Sequence, residues 1–252
     1  MANIIQDSST RIKTGLALLV GLAVVGYIDS FFIMWALFGG LMMIAIKEAM
    51  QLFKMDEDII YLYGAIMWIV AYFYPKPEDL IFVVGIIFAS ILAYTKKLNK
   101  QLFLPLMYPM ASYLFLLSLY SSFKMEALLW LLVVVAGTDI GAYFVGKSIG
   151  KTKFCETSPN KTMEGIFGGI ITAAILGVLF APESIGFVLA FVISLVVAVA
   201  SIFGDLFESY LKREAGIKDS GDILPGHGGI LDRTDGYLFG GIVMLVLLRA
   251  II

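Results

Sequence analysis

The chain has 252 residues, of which 60% are hydrophobic and 15% charged, against about 45–50% apolar and about 25% charged in ordinary soluble domains. A net charge of -2 gives no bulk attraction for nucleic acid, and a single cysteine, Cys155, excludes an intrachain disulfide framework and a cysteine-built zinc cluster. What remains is an integral membrane protein.

A helix crosses a bilayer with about 20 mostly apolar residues. Nine stretches qualify, at roughly 13–29, 31–50, 58–74, 79–95, 102–122, 126–146, 165–181, 184–203 and 235–252. The first resembles a secretory leader because Arg11 and Lys13 precede an apolar run. No small-residue cleavage site follows, and it reads as the first span. Polar breaks such as "KMDED", "YPKPED", "TKKLNKQ" and "YSSFKMEA" separate the others. With the N-terminus in the cytoplasm, 15 of the 18 lysines and arginines fall on the cytoplasmic side, leaving Lys76, Lys124 and Arg249 opposite. The expectation is an all-α polytopic membrane protein with about nine transmembrane helices, N-terminus cytoplasmic and C-terminus on the opposite side. Residues 1–125 read as N-terminal scaffold, spans 1–5. Residues 126–252 hold spans 6–9 and two polar cytoplasmic segments, 147–164 and 204–235, where chemistry is expected.

Asp139 lies inside the sixth apolar run. On a helix it shares one face with Tyr143 and Lys147. An acid inside a span costs roughly 2.5–3.5 kcal/mol on insertion scales, so it is a site candidate unless it is wetted or paired near the helix end. Next comes "SPNKTMEG", where Ser158, Lys161 and Thr162 precede a helix that starts near Glu164 or Gly165. Two hydroxyls and an ammonium at a helix N-terminus suit a phosphate, and equally Ser158 or Thr162 could simply cap the helix. Spacing leaves both open. No GxxxxGK[ST] phosphate loop occurs in the chain.

Residues 204–235 carry 11 of the chain's 38 charged residues. Asp205, Glu208, Ser209 and Lys212 fall on one helical face. A solvated face is the plain explanation, but the next apolar run starts just after Asp235, so the segment must fold back against the membrane. "PGHGG" places the chain's only histidine, His227, among glycines. A lone histidine is more often structural, although flexible neighbours open it to a ligand. Carboxylates without cysteine favour hard oxygen ligation and hence Mg²⁺, and neighbouring lysines and arginines suit phosphate oxygens. The combination fits phosphoryl or nucleotidyl transfer.

Ser209-Tyr-Leu-Lys212-Arg213, then Lys218-Asp219, then Pro225-Gly-His227-Gly-Gly-Ile-Leu-Asp232-Arg233-Thr-Asp235 resembles the signature of the CDP-diacylglycerol synthases, or phosphatidate cytidylyltransferases, across 27 residues. "SPNKTMEG" and "GDLFES" are similar to further family segments. The resemblance implies that CTP and phosphatidate give CDP-diacylglycerol and pyrophosphate, with Mg²⁺ alone or beside a second cation. It implies Asp205 and Asp232 as metal ligands, with Lys218 and Arg233 in the catalytic set. Substrate contacts are expected from Asp139, Ser158, Lys161, Thr162, Glu164, Ser209, Lys212, Arg213, Asp219, His227 and Asp235, with Asp219 and Asp235 orienting the cations. It further implies a homodimer and residence in a bacterial inner membrane; the lysine and arginine distribution puts the active site on the cytoplasmic side, and the net charge argues for no nucleic-acid partner. Gly165 with Gly169, and Gly236 with Gly240, are small-residue pairs that permit close helix packing within one chain or between protomers. Two other readings remain at this point. A CTP-dependent polyprenol or phytol kinase would release CDP, and an ion or phosphate transporter would turn over nothing.

Overall fold

The computed structural model describes residues 2–251, with side chains from Lys13 onward. Arg11, one of the cations expected in the cytoplasm, lies outside the described side chains. Among the described residues there are helices and no strands. The main helices are α1 (Ala2–Ile28), α2 (Phe31–Leu52), α3 (Ile59–Phe73), α4 (Leu80–Thr95), α5 (Ser112–Ile149), α6 (Met163–Phe180), α7 (Phe187–Ala215) and α8 (Leu231–Ile251).

Local chemistry sets their ends. Between α1 and α2 the backbone turns at Asp29, whose φ is 43°. α3 stops before Tyr74-Pro75, because the residue ahead of a proline is pushed out of the helical region. Pro77 opens the short turn that leads into α4. α4 ends at Lys96 in the left-handed conformation, where the Lys96 N–H reaches the Leu92 carbonyl at 2.9 Å. Inside α5, Lys124 leaves the helical region with φ 59° and ψ -164°. That interruption falls in the polar break "YSSFKMEA" between two of the expected spans.

Among the described residues, six helical stretches are long and apolar enough to cross a membrane: Phe31–Leu52, Pro77–Thr95, Lys100–Ile149, Met163–Phe180, Phe187–Ala215 and Leu231–Ile251. Two lengths separate this count from the expected nine. Lys13–Ile28 and Ile59–Phe73 are shorter apolar helices; at 1.5 Å per residue, 15 residues reach only about 23 Å. Lys100–Ile149 is a single run of 50 residues that contains two of the expected spans. Large apolar side chains face outward in rows, as on α6, where Phe167, Ile171, Ile175 and Leu179 are all exposed. Such a stripe at four-residue spacing suits a lipid-facing surface.

The chain divides into two compact units, Met1–Ser121 with Ala215–Arg233, and Ser122–Glu214 with Thr234–Ile252. In the first, α2 and α3 are tied by a reciprocal pair: Trp35 Nε1 donates to the Trp68 carbonyl at 2.8 Å, and Trp68 Nε1 donates to the Trp35 carbonyl at 3.0 Å. Gly39 leaves space for the Trp68 ring. Met42, Ala45, Ile46, Ile60, Leu114 and Leu117 complete a buried core. In the second unit, Trp130 is fully buried and donates to Ser194 Oγ at 3.1 Å. Val134, Ala173, Val197 and Leu238 are buried in the same unit.

The two glycine pairs are used inside the second unit. A Cβ on Gly165 would stand 2.8 Å from the Ala142 carbonyl, and one on Gly169 would press on the Thr138 carbonyl. α6 therefore lies directly on the backbone of α5. Gly236 and Gly240 are less tightly placed: a Cβ on either would meet mainly the side chains of Val135, Ser201, Leu131 and Val197, at 3.1 Å or more.

Candidate functional site

In the second unit a cavity of about 610 Å³ opens among α5, α6, α7 and the segment before α6. α5 presents Asp139, Tyr143 and Lys147 to it, the three residues that helical spacing places on one face. The Lys147 ammonium lies 3.3 Å from the Tyr143 hydroxyl and 5.4 Å from the centre of its ring. Ser158, Asn160, Lys161 and Thr162 form another wall, and α7 contributes Ile202 and Asp205.

The segment 150–162 is shaped by its own hydrogen bonds. Phe154 N–H donates to the Lys161 carbonyl at 2.9 Å, Lys161 N–H to Ser158 at 3.1 Å, and Met163 N–H to Thr152 at 2.9 Å. Thr162 Oγ1 accepts from Gly165 N–H at 3.1 Å, so Thr162 caps α6 and also lines the cavity. The Glu164 carboxylate turns away to grip the same segment. It accepts from Lys151 N–H at 3.1 Å, from Thr152 N–H at 3.2 Å and from Thr152 Oγ1 at 2.8 Å. With its backbone held, Lys161 extends to Asp205 and forms an ion pair, both side chains half-buried.

Along α7, Ser209 Oγ donates to Asp205 Oδ1 at 3.3 Å, and Lys212 Nζ donates to the buried Glu208 at 2.9 Å. The face expected from the sequence is thus linked from Asp205 to Ser209 and from Glu208 to Lys212. Arg213 projects outward from the last turn. Half-buried Asp235 on α8 lies within electrostatic range of Asp205, Glu208 and Asp139.

The first unit holds the other polar cluster. The loop after α7 folds back at Leu224–Gly228, where Leu224 N–H donates to the Gly228 carbonyl at 3.0 Å and His227 N–H to the Leu224 carbonyl at 2.8 Å. Gly228 has φ 85°, a conformation strained for any side chain. The His227 carbonyl accepts from Arg233 Nε at 2.8 Å. Asp232 Oδ2 accepts from Ser220 N–H at 2.9 Å and Gly229 N–H at 2.8 Å. Lys218 and Asp219 are exposed beside them.

Of the residues singled out from the sequence, Asp139, Ser158, Lys161, Thr162 and Asp205 share the cavity of the second unit. Lys218, Asp219, His227, Asp232 and Arg233 share the loop of the first. Sequence reasoning missed Asn160 on the cavity wall, and Ser220 and Glu48 behind the loop. Glu48 carried a signal, since it interrupts the apolar run of α2 as Asp139 interrupts that of α5.

Among the described residues, no three acids, histidines or cysteines are grouped closely enough to hold a metal ion by themselves. The donors present are carboxylate oxygens, which fit Mg²⁺. That ion keeps several waters and is usually bound by one or two carboxylates together with substrate phosphates.

Exposed apolar helices and a cavity lined by acids and cations define the class: an integral membrane protein with a polar site. The sequence profile of the Cytidylyltransferase family matches residues 9–251, and the chain belongs to that family. It is 42% identical over 242 residues to a protein of Helicobacter pylori named phosphatidate cytidylyltransferase, a match covering 95% of this chain and 91% of the relative. A protein of the same name from Bacillus subtilis is 54% identical over 111 residues, covering 42% of this chain and 41% of the relative. A chloroplastic phosphatidate cytidylyltransferase of Arabidopsis thaliana is 42% identical over 112 residues, covering 42% of this chain and 28% of the relative.

Proposed function

We propose that this chain is a phosphatidate cytidylyltransferase, making CDP-diacylglycerol and pyrophosphate from CTP and phosphatidate. The observation that carries this reading is the near full-length match to relatives of that name. The cavity supports it chemically. An oxygen of the lipid phosphate attacks the α-phosphorus of CTP, a new O–P bond forms, and the bond to the bridging oxygen breaks as pyrophosphate leaves. The lipid phosphate is itself the nucleophile, so the protein's task is to position two anions and offset their repulsion.

Lys161, held on a braced segment and already drawn to a carboxylate, is placed to bind a phosphate oxygen. Ser158 and Thr162 add hydroxyl donors beside it, and Lys147 stands along the same cavity. Asp205 and Asp232 are each candidate carboxylate ligands for Mg²⁺, alone or beside a second cation; such an ion would supply charge neutralisation on the phosphates. Lys218, Lys212, Arg213 and Arg233 are the remaining candidate phosphate contacts. Glu164 serves this chemistry through the segment it braces.

The proposal extends to topology. Nine crossings follow if both shorter helices cross and Lys100–Ile149 crosses twice at its Lys124 break. The N-terminus is then cytoplasmic, the C-terminus opposite, the site faces the cytoplasm, and a bacterial inner membrane is the setting. A reporter fused after Ile252 should read as non-cytoplasmic. The homodimer rests on family resemblance alone.

Purified protein in detergent with phosphatidate, CTP and Mg²⁺ should yield CDP-diacylglycerol and pyrophosphate. Asp232→Asn should reduce turnover by about 100-fold or more, as loss of a charge-stabilising group does, while the protein stays folded. CDP released with a polyprenol in place of phosphatidate would instead establish the lipid-kinase reading. Near-normal turnover in Asp232→Asn would remove that residue from the site.

A further inference from the structure

Glu48 lies in the apolar helix α2, far in sequence from every segment assigned to the reaction, and it is only 4% exposed. Its two oxygens are committed to the polar loop of the same unit. Oε1 accepts from Ile230 N–H at 2.9 Å. Oε2 accepts from Leu231 N–H at 2.7 Å and from Ser220 Oγ at 3.2 Å. Ile230 and Leu231 stand where α8 begins, so their N–H groups have no partner within the helix. A carboxylate from another helix takes the place of a local cap.

The contacts run on to Asp232. Ser220, whose hydroxyl donates to Glu48, accepts at that hydroxyl from Asp232 N–H at 3.3 Å. The N–H of the same serine donates to Asp232 Oδ2 at 2.9 Å. Gly229, which also donates to Asp232 Oδ2, immediately precedes a residue that Glu48 holds. The loop leaves room for this acid. A Cβ on Gly221 would stand 2.6 Å from Glu48 Oε1, and one on Gly229 would stand 2.7 Å from it. Both groups that fix Asp232 Oδ2 are therefore fixed in turn through Glu48.

We propose that Glu48 is a positioning residue for cytidylyl transfer, holding loop 218–233 and, through Ser220 and the start of α8, the carboxylate of Asp232. This rests on the phosphatidate cytidylyltransferase reading and on Asp232 belonging to its site. The hydrogen bonds of Glu48 go to the loop and the start of α8, so it acts through Asp232. Its effect is to keep Asp232 in one place, and displacement of a reacting-centre group by about 1 Å can cost on the order of 100-fold in rate.

The test is Glu48→Gln, which preserves volume but turns an amide NH₂ toward groups that also donate. In the purified full-length protein, kcat for CDP-diacylglycerol formation should fall between about 10-fold and 100-fold, with KM for CTP changing far less. Hydrogen exchange should speed up at residues 218–233 and stay unchanged in the second unit. If Glu48→Gln does not fold, Ser220→Ala removes the middle of the chain of contacts and is read by the same two measurements. Unchanged kcat in a folded variant, with or without faster exchange, would overturn the proposal, as would unchanged exchange. A native protein that makes no CDP-diacylglycerol would defeat the functional reading instead. Unchanged kcat in the variant beside an active native protein would defeat this proposal alone.

Discussion

The Lys161–Asp205 pair brings two opposite charges together, both half-buried on the wall of one cavity. An ammonium held between a carboxylate and an incoming phosphate binds more than it catalyses, because it meets the phosphate in ground state and transition state alike. Lys161→Ala should therefore raise KM for CTP or phosphatidate by about 10-fold or more, the scale of one charged hydrogen bond, with a smaller change in kcat. Steady-state kinetics in mixed micelles reads both parameters; unchanged KM for both substrates would take Lys161 off the substrate path. At this scale the sequence is informative for Ser158, Lys161 and Thr162, whose types ahead of a helix suit a phosphate or a cap, and for Asp205, which the family resemblance marks as a metal ligand. It is silent on their pairing. That Lys161 reaches Asp205, 44 positions away in the chain, depends on how α6 packs against its neighbours.

At the scale of elements, helix contact in the second unit depends on missing side chains. Gly169 sets the Thr138 carbonyl of α5 directly against α6. Gly169→Leu should destabilise the protein by about 1–3 kcal/mol, the usual cost of overfilling a packed interior. Gly40→Leu, at a position with nothing within 4 Å, should cost little. Thermal unfolding in detergent compares the two, and equal midpoints would mean that α5 and α6 are not held in this contact. Each main helix overlaps an apolar run of the sequence, and the polar break "YSSFKMEA" contains the interruption at Lys124, but among the described residues six stretches, not nine, are long and apolar enough to span. The small-residue spacing of Gly165 and Gly169 was visible too, but spacing alone does not name the partner. Ala142 and Thr138 on α5 are a tertiary fact.

At the scale of the whole molecule, an enzyme acting on one water-soluble and one lipid substrate must place polar groups beside apolar helices. This is why a chain 60% hydrophobic carries 11 charges within residues 204–235. The outline of that arrangement was legible from composition and motif. The role of Glu48 was not, because a hydrogen bond to Ile230 spans 182 positions and leaves no local pattern. The same holds for the grouping of Ala215–Arg233 with the first helices. Motif position places this loop beside the C-terminal spans, and two of its backbone N–H groups, those of Ile230 and Leu231, also donate to Glu48 of α2.

The most direct test of the central claim follows the phosphorus. Purified protein would be incubated with phosphatidate, Mg²⁺ and CTP labelled at the α-phosphate, with CTP labelled at the γ-phosphate in a parallel reaction. Cytidylyl transfer predicts label in the lipid product only from the α-labelled nucleotide, and label in pyrophosphate from the γ-labelled one. Lipid labelled from the γ-phosphate, or no labelled lipid in either reaction, would contradict it.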